Sequence, residues 1–400
     1  MVIEKGKSMK KLITDLDITN KRVIIRVDFN VPIKDGKIID DTRIVESLDT
    51  IKYALDRQAK VILLSHLGRI KEESDKEKNT LTPVAIRLSE LLKRPVTFIN
   101  RTRSEKLKDA VRHMKSADII LIENTRFEDL DGNKESGNDL ELAEYWASLG
   151  DVFINDAFGT IHRSHASNVG IANLLPSAIG FLVEKELKEL EKLNNPNHPY
   201  VVILGGSKVK DKIGVIQNLV EKADKIIIGG GMAFTFLRAL GYSIGSSLVE
   251  EEYIEFCSKL LEKYPYKFLL PVDVQAAVNT LPQTPSRVVK INEIRPDEMG
   301  LDIGPDTVNQ IMGVLKTAKT VVWNGPLGMY EIPKYCYGTE QVLKIITSFP
   351  MESILGGGDI VACATKLGYK DKVTHASTGG GATLEYLEGK LLPGLEAIKD

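Results

Sequence analysis

The sequence has few cysteines, no long apolar run and no excess of charge of one sign. Its three cysteines, Cys257, Cys336 and Cys363, form no Cys-x-x-Cys pair. They are too few for a disulfide framework, which favours core thiols in a reducing compartment. No segment approaches the roughly 18 consecutive apolar residues of a membrane span, and the charged N-terminus lacks the apolar part of a signal peptide. We therefore expect a cytoplasmic protein.

Charge and motifs exclude several further classes. The 53 basic and 55 acidic side chains give a formal net charge of -2, so nothing global indicates a nucleic-acid partner or an anionic membrane. The sequence has no Gly-x-x-x-x-Gly-Lys-Ser/Thr, no Gly-x-Gly-x-x-Gly and no protein-kinase His-Arg-Asp set. These absences argue against P-loop enzymes, dinucleotide dehydrogenases and protein kinases. Any preference for anions must be local.

Short apolar runs recur along the 400 residues and end in glycine or polar residues. Their length is typical of buried strands. The runs in the first half are 23–27, 61–64, 119–122 and 152–154. Those in the second half are 201–204, 226–228, 268–270, 320–323 and 353–355. Helical patterns lie between them, so we predict an α/β protein with two doubly wound parallel sheets, Rossmann-like, whose ligands bind beyond the carboxyl ends of the strands.

A charged helical pattern over residues 183–193 separates the two halves, just before residues 194–199, which are rich in helix breakers. We interpret it as a connecting helix and candidate hinge. The predicted division is an N-terminal domain over 1–182, the hinge over 183–193 and a C-terminal domain over 194–386. Residues 1–8 precede a second methionine and are interpreted as an extension or an alternative start. Residues 71–78 mix charges without apolar residues and are predicted to be a solvated loop.

The residues that follow the strands of the first half are basic or amide-bearing. Arg43 adds a guanidinium in the first turn of a helix, where it opposes the helix dipole unless an anion lies nearby. Because arginine holds phosphate or carboxylate in a bidentate fork, several arginines at strand ends suit a small ligand with several negative charges. The set comprises Asp28, Asn30, Arg43, His66, Arg69, Arg126, His162 and Arg163.

Glycine takes this place in the second half. Glycines at successive strand ends, most of them in pairs or triplets, allow backbone N–H groups and helix N-termini to approach phosphates closely. Lys208 and Lys212 are predicted to share one face of the helix that follows the first pair. Asp359 is either a helix cap or a group that holds nucleotide-bound Mg²⁺. The glycines are Gly205-Gly206, Gly229-Gly230-Gly231, Gly325, Gly356-Gly357-Gly358 and Gly379-Gly380-Gly381.

At these same residues, from about Met9 to the C-terminus, the sequence resembles the phosphoglycerate kinase family. The matching segments begin with RVDFNVP at Arg26 and SHLGR at Ser65, and end with GGGD at Gly356 and HASTGGGATLEYLEGKLLPG at His375. Between them lie ENTRF, NDAFGTIHRSH, LGGSKVKDK, IIGGGMAFTFL, GLDIGP and WNGPLGMYE. The resemblance implies a glycolytic kinase that transfers a phosphoryl group reversibly between 1,3-bisphosphoglycerate and Mg-ADP, giving 3-phosphoglycerate and ATP.

The resemblance also implies which residues bind each ligand. The substrate would contact Asp28, Phe29, Asn30, Arg43, His66, Leu67, Gly68, Arg69, Arg126 and Arg163. The nucleotide would contact Gly205, Gly206, Lys208, Lys212, Gly230, Gly231, Gly300, Leu301, Asn324, Pro326, Glu331, Gly357, Gly358, Asp359 and Ile360. Glu331 matches the ribose carboxylate of the family and Asp359 its Mg²⁺ contact. The tail 387–400 would return to the N-terminal domain.

We expect direct in-line transfer without a phosphoenzyme and without a general base, because the acceptor is already an anion. The expected catalytic residues are Arg43, Lys208 and Lys212, helped by the loop at Gly379, Gly380 and Gly381. Hinge closure would exclude water, and the chain is expected to be a monomer. Two other functions stay open: a kinase for a different carboxylate, and a catalytically inactive sensor on the same fold.

One departure from the family pattern lies directly after the GGGD turn. The family usually has threonine or serine there, and this sequence has Ile360. The missing hydroxyl predicts altered nucleotide affinity with backbone contacts retained.

Overall fold

The computed structural model describes residues 10–399. The predicted extension 1–8 lies outside the described residues. Two compact units are present, the first with residues 10–188 and 391–399 and the second with residues 189–390. None of the helices in this part of the chain is long and apolar enough to cross a membrane.

The first unit contains a six-stranded parallel sheet with the strand order β5-β6-β4-β1-β7-β8. A short hairpin, β2 and β3, precedes the first helix. The strands are β1 Arg22–Val27, β2 Ile33–Lys34, β3 Lys37–Ile38, β4 Lys60–Leu64, β5 Thr97–Ile99, β6 Ile119–Ile122, β7 Val152–Asp156 and β8 Ser177–Ile179. The order of connection reverses between β1 and β7, which is where doubly wound sheets bind ligands.

The helices of the first unit pack on this sheet, and α8 continues into the second unit. They are α1 Thr42–Glu46, α2 Leu48–Asp56, α3 Ser74–Lys78, α4 Thr82–Leu92, α5 Glu105–Arg112, α6 Leu140–Ala147, α7 Ile171–Leu174 and α8 Phe181–Glu191. Ile44, Leu48, Ile51 and Leu55 of α1 and α2 are buried in the core beside Val23 and Val61. The amphipathic spacing of these residues therefore serves sheet packing.

The second unit repeats this plan with the parallel order β11-β10-β9-β15-β16-β17 and adds an antiparallel sheet, β13-β12-β14. Its strands are β9 Tyr200–Leu204, β10 Lys225–Ile228, β11 Phe268–Leu269, β12 Asp273–Ala277, β13 Ser286–Lys290, β14 Met299–Ile303, β15 Thr320–Asn324, β16 Glu352–Leu355 and β17 His375–Ala376. Its helices are α9 Ile213–Leu219, α10 Met232–Ala239, α11 Ile254–Lys263, α12 Pro305–Leu315, α13 Tyr337–Ile346, α14 Gly358–Lys366 and α15 Gly381–Leu387. The switch of direction lies between β9 and β15.

The predicted fold class, two doubly wound parallel sheets, is confirmed. The antiparallel sheet was not predicted, because apolar and polar residues alternate too weakly in its strands to indicate them. Val274 and Ala276 of β12 pack against Phe234 and Leu237 of α10, which explains the apolar character of residues 272–279.

The predicted loop at 71–78 is wrong in part, because α3 forms one helical turn there. The carboxylate of Asp75 accepts hydrogen bonds from the N–H groups of Lys71 (2.8 Å) and Glu72 (3.2 Å), which stabilises the turn. No residue of α3 is buried, so the segment is solvated as predicted.

The unit boundaries differ slightly from the predicted ones. The first division falls inside α8, between Lys188 and Glu189. The chain rejoins the first unit at Leu391 rather than Leu387, because α15 belongs to the second unit, where Asn218 Nδ2 donates to the Leu387 carbonyl (2.8 Å). The returning tail forms helix α16, Pro393–Glu396, and Gly394 N–H donates to the Ile161 carbonyl (2.8 Å).

Candidate active site

The site of the first unit begins where β1 ends. Asp28 is buried there and accepts a hydrogen bond from Arg43, which lies in the first turn of α1. Its other oxygen accepts the N–H of Asn30 (3.3 Å), and the side chain of Asn30 accepts the N–H of Gly68 (2.9 Å). A Cβ at Gly159 would lie 2.2 Å from Asp28 Oδ2, so the loop after β7 closes tightly over this carboxylate. The loops after β1, β4 and β7 thus meet at the switch point.

Two more arginines enter the same site from the loops after β6 and β7. The side chain of Arg126 is 13% exposed and lies 3.6 Å from Asp129. Its Nε atom is buried and makes no hydrogen bond among residues 10–399. Arg163 is half-buried and donates to His162 Nε2 (3.2 Å). A buried donor without a hydrogen-bond partner lowers the stability of the fold, and an anionic ligand would supply the partner that Arg126 Nε lacks. Arg69 is exposed at the rim.

Three histidines near these arginines are neutral at physiological pH. Burial, followed by the charges of Arg26, Arg126 and Arg163, holds the pKa of His66 well below its usual value. Burial likewise lowers the pKa of His162 to about 4 and that of His165 to about 3. The positive charge of the site therefore comes from arginines, whose charge does not vary near neutral pH.

Phe29, Leu67 and Gly68 were predicted to contact the substrate, and all three have contacts within the protein. The side chains of Phe29 and Leu67 lie in the core of the first unit. Their N–H groups donate within the protein, Phe29 to Ser65 Oγ (2.9 Å) and Leu67 to Asn124 Oδ1 (3.1 Å), and the N–H of Gly68 is taken by Asn30. These residues therefore shape the loops of the site, and their contact with the substrate stays a prediction.

The glycines of the second unit serve two different purposes. A Cβ at Gly205 would lie 2.0 Å from the Pro326 carbonyl oxygen, and one at Gly325 would lie 2.4 Å from the Gly205 carbonyl oxygen. The N–H groups of Gly205, Gly206 and Gly230 already donate to Asn324, Pro326 and Leu327, each at 2.9 Å. These three N–H groups therefore already have partners within the protein. Their glycines allow the loops after β9, β10 and β15 to pack together.

Other glycines lie at helix starts. Gly231, Gly357 and Gly380 are the N-cap residues of α10, α14 and α15, and Gly381 opens α15. Gly379 precedes this turn, and its N–H donates to Ser377 Oγ (3.1 Å). A Cβ at Gly358 would meet no protein atom within 4 Å, and its φ is not positive. The first N–H groups of a helix have no intrahelical partner and attract anions.

Gly358 is thus a glycine that the protein's own packing does not require. Asp359 follows it on the exposed start of α14. The side chain of Ile360 is fully buried in the core, so only its backbone faces this turn. We therefore expect the missing hydroxyl to change nucleotide affinity only through the packing of the core.

The two lysines predicted to share a helix face are separated. Lys208 is exposed in the loop before the helix, because Glu250 accepts the N–H groups of Val209 (2.5 Å) and Lys210 (3.3 Å) and holds this loop out of helical geometry. Lys212 is half-buried and donates to Asn324 Oδ1, while Asn324 Nδ2 donates to the Gly356 carbonyl (2.5 Å). Burial lowers the pKa of Lys212, opposed by Asp211, Asp359 and Glu388.

The remaining predicted nucleotide contacts surround this centre. A Cβ at Gly300 would lie 2.1 Å from Phe234 Cζ, so the ring of Phe234 packs directly against this glycine. The Leu301 carbonyl accepts the N–H of Met329 (2.8 Å), which fixes the loop that carries exposed Glu331. Pro326 is buried beside Gly205.

Comparison with known proteins identifies the family. The family model described as "Phosphoglycerate kinase" matches residues 13–390. The chain belongs to the phosphoglycerate kinase family. It is 58% identical over 394 residues to a phosphoglycerate kinase of Lacticaseibacillus casei (strain BL23), covering 98% of this chain and 99% of that protein. It is 56% identical to that of Enterococcus faecalis (strain ATCC 700802 / V583), with the same coverage.

Solved phosphoglycerate kinase structures have the same fold. That from Coxiella burnetii is 39% identical with a TM-score of 0.86, covering 98% of this chain and 99% of that one. That from Pyrococcus horikoshii OT3 is 32% identical with a TM-score of 0.83, covering 98% of both chains. The predicted family, kinase activity and glycolytic function are confirmed.

Sequence reasoning missed several site residues. Arg26, Glu135 and Ser167 form a buried network behind the candidate site of the first unit, and Arg26 lies inside a strand, where its side chain gives no signal of this role. In the second unit, Tyr330 donates to Asp359 Oδ1 (3.5 Å), and burial raises the pKa of Tyr330 to about 12. The match to WNGPLGMYE contained Tyr330 but indicated no contact with Asp359.

Proposed function

We propose that the basic site of the first unit binds 3-phosphoglycerate or 1,3-bisphosphoglycerate. Asp28, Asn30 and His66 contact the glycerate part, and Arg43, Arg69, Arg126 and Arg163 hold carboxylate and phosphate oxygens. The assignment rests most on the buried Nε of Arg126, which has no partner in the described chain. A ligand that carries both phosphate and carboxylate satisfies the whole arginine set, whereas a simple carboxylate leaves guanidiniums unpaired.

ADP or ATP occupies the second unit in this proposal. The phosphates lie at the start of α14, where Gly358 leaves open space, with Lys212 beside them and Lys208 reaching in from its exposed loop. The adenosine part lies along Gly231, Gly300, Leu301 and Pro326, with Glu331 on the ribose. Helix N-termini and lysine are common partners of nucleotide phosphates.

Mg²⁺ is part of the proposal through Asp359. Among residues 10–399 no three His, Cys, Asp or Glu side chains form a metal cluster. One exposed carboxylate at the start of a helix fits an ion that takes most of its ligands from phosphates and water, as Mg²⁺ does. When bound, the ion supplies charge neutralisation for the nucleotide phosphates.

Positioning and charge carry the transfer step. Lys212 and Arg43 neutralise the oxygens of the transferring phosphoryl group, with N–H groups at Gly358 and Gly380 beside it. The acceptor carboxylate is already an anion, so no side chain has to remove a proton. The two ligands must be brought together, and we propose that α8 and its flanking turns act as the hinge.

We also propose that the protein works as a cytoplasmic monomer. Its three cysteines are buried free thiols, consistent with a reducing compartment. Size-exclusion chromatography with light scattering tests the monomer, and a dimer at micromolar concentration would contradict it.

Steady-state turnover with 3-phosphoglycerate and Mg-ATP, coupled to glyceraldehyde-phosphate dehydrogenase and NADH oxidation, tests the site assignment. Arg43→Ala and Lys212→Ala are compared with wild type after circular dichroism shows intact folding. We expect turnover to collapse in both variants. Two folded variants with near wild-type turnover would contradict the roles given to these residues.

A further inference from the structure

Arg26 in β1 is fully buried behind the proposed substrate site. Its Nε donates to Ser167 Oγ (2.8 Å), its Nη1 donates to the Val27 carbonyl, and its Nη2 lies 3.3 Å from His66 Nδ1. A buried guanidinium must place its N–H groups on acceptors, because each unsatisfied donor is costly. The contact with His66 therefore has a direction.

That direction determines where His66 carries its proton. Arginine has five donors, no acceptor and no accessible neutral form, so Nη2 can only donate. His66 Nδ1 must then hold a lone pair, and the proton of the neutral imidazole lies on Nε2. We propose that Arg26 is a positioning residue that holds His66 in the Nε2–H tautomer, and that this N–H donates to an oxygen of the anionic substrate.

The groups around His66 agree with this assignment. Asp28 Oδ1 lies 3.9 Å from Nδ1, which is too long for a hydrogen bond. The charges of Arg26, Arg126 and Arg163 all disfavour the imidazolium, as does burial. Among the described residues His66 Nε2 makes no hydrogen bond, so its N–H is available to a ligand. A neutral donor of this kind keeps its function across the physiological pH range.

Glu135 and Ser167 orient Arg26 in turn. Glu135 is fully buried and accepts both the N–H (2.9 Å) and the hydroxyl of Ser167. It also accepts the N–H of Ala166 through its own carbonyl (2.9 Å). Since the Ser167 hydroxyl proton points to Glu135, its lone pairs face Arg26 Nε. The chain Glu135, Ser167, Arg26, His66 is therefore a continuous, directed set of hydrogen bonds.

The same reasoning assigns the opposite tautomer to His162. Arg163 Nε donates to His162 Nε2 (3.2 Å), so the proton of the neutral ring lies on Nδ1. This Nδ1 is buried and makes no hydrogen bond within residues 10–399. Two histidines of one site thus carry opposite tautomers, each determined by an arginine, and each serves as an internal reference for the other.

Nitrogen-15 NMR of the full-length protein with labelled histidine tests the assignment without any activity measurement. Among the signals of the six histidines, those of His66 and His162 are identified by their loss in His66→Gln and His162→Gln. We expect a pyridine-type Nδ1 and a pyrrole-type Nε2 for His66 at pH 7, and the reverse for His162. A His66 with the proton on Nδ1, or a doubly protonated ring, would overturn the proposal.

Ser167→Ala tests the positioning chain, with Ser177→Ala as the matched control, because Ser177 is also buried in this unit and its hydroxyl makes a long, 3.4 Å contact with the Ala172 carbonyl. We expect Ser167→Ala to mix the two tautomers of His66. We also expect a rise in KM for 3-phosphoglycerate of roughly threefold to tenfold, the usual effect of weakening one hydrogen bond, with KM for ATP unchanged. A single unchanged tautomer in Ser167→Ala would overturn the role of the chain.

The ligand contact rests on the proposed function and is tested separately. Titration of wild type with 3-phosphoglycerate should shift His66 Nε2 more than the nitrogens of exposed His113. If turnover is normal and this shift is absent, the contact is overturned while the proposed function stands. If 3-phosphoglycerate neither binds nor turns over, the proposed function fails while the tautomer assignment stands on the spectrum of the free protein.

Discussion

The two units have the same sheet plan and present different groups to the anions that we propose they bind. The first presents side chains, with Arg126 and Arg163 held by loops after β6 and β7 and Arg43 held by Asp28. The second presents mainly backbone, with Gly357, Gly358 and Gly380 at helix starts and Lys212 as its half-buried cation. Selectivity for a small acid needs guanidiniums at defined positions, whereas phosphates are satisfied by N–H groups that any residue without an obstructing Cβ can offer.

The largest expected effect concerns Lys212, the side chain that departs from this backbone pattern. We expect Lys212→Ala to lower kcat by roughly a hundredfold to a thousandfold, because it removes the half-buried charge that we propose acts on the transition state. Steady-state kinetics at saturating substrates measures it. Lys210→Ala, an exposed lysine of the same turn, should stay within twofold of wild type. A loss below tenfold in Lys212→Ala would place the key charge elsewhere.

Arg126→Ala tests whether a residue of the first unit affects the affinity for 3-phosphoglycerate and leaves that for ATP unchanged. We expect KM for 3-phosphoglycerate to rise roughly tenfold to a hundredfold, the usual effect of losing a charged hydrogen-bond pair, with KM for ATP unchanged. Arg112→Ala is the control, since Arg112 is an exposed arginine paired with Asp109. An equal rise in both KM values would show that Arg126 does not belong to the substrate site alone.

Two glycine substitutions, compared with each other, test the second unit by itself. We expect Gly205→Ala to destabilise the protein by about 3 kcal/mol, because its Cβ would lie 2.0 Å from the Pro326 carbonyl oxygen. We expect Gly358→Ala to leave stability unchanged within about 0.5 kcal/mol and to raise KM for ATP roughly tenfold by crowding the phosphates. Urea unfolding and kinetics on both variants measure this. Equal stability of the two would contradict the distinction.

The smallest effect concerns acid stability of the first unit. His162 and His165 have pKa values of about 4 and about 3 in the folded protein, against 6.5 when exposed. Below pH 6.5 the unfolded chain therefore binds more protons, and these residues lower the stability as pH falls towards 4. Asp156 acts in the opposite sense, since burial raises its pKa from 3.8 to about 7 and its contribution is lost as pH rises through 7.

His165→Gln isolates the histidine contribution. Between pH 7 and pH 5 we expect its free energy of unfolding to fall by about 2 kcal/mol less than that of wild type, with exposed His113→Gln unchanged. Trp146 and Trp323 are buried, one in each unit, so Trp323→Phe and Trp146→Phe backgrounds report the units separately by fluorescence. An equal acid response of the variant and wild type would refute the assignment.

Local sequence was enough to predict the strands and the kinds of residue that follow them. Buried strands of Val and Ile, such as β1 and β9, are visible as apolar runs, and the residues after them reach the site because parallel strands end at one edge of a sheet. The antiparallel sheet was not predicted because β12 depends on its contact with α10. Lys208 and Lys212 had the same spacing as a helical pair and were separated by a contact with Glu250.

The sequence by itself determined the family, the two-sheet fold and the presence of arginines at one set of strand ends and glycines at the other. Tertiary structure decided which of those residues face a ligand. Glu135 and Ser167 are 32 residues apart, and Arg26 and Ser167 are 141 apart, so no local pattern brings them together. Folding does so because a buried arginine and a buried carboxylate must both find hydrogen-bond partners, and packing selects the ones within reach.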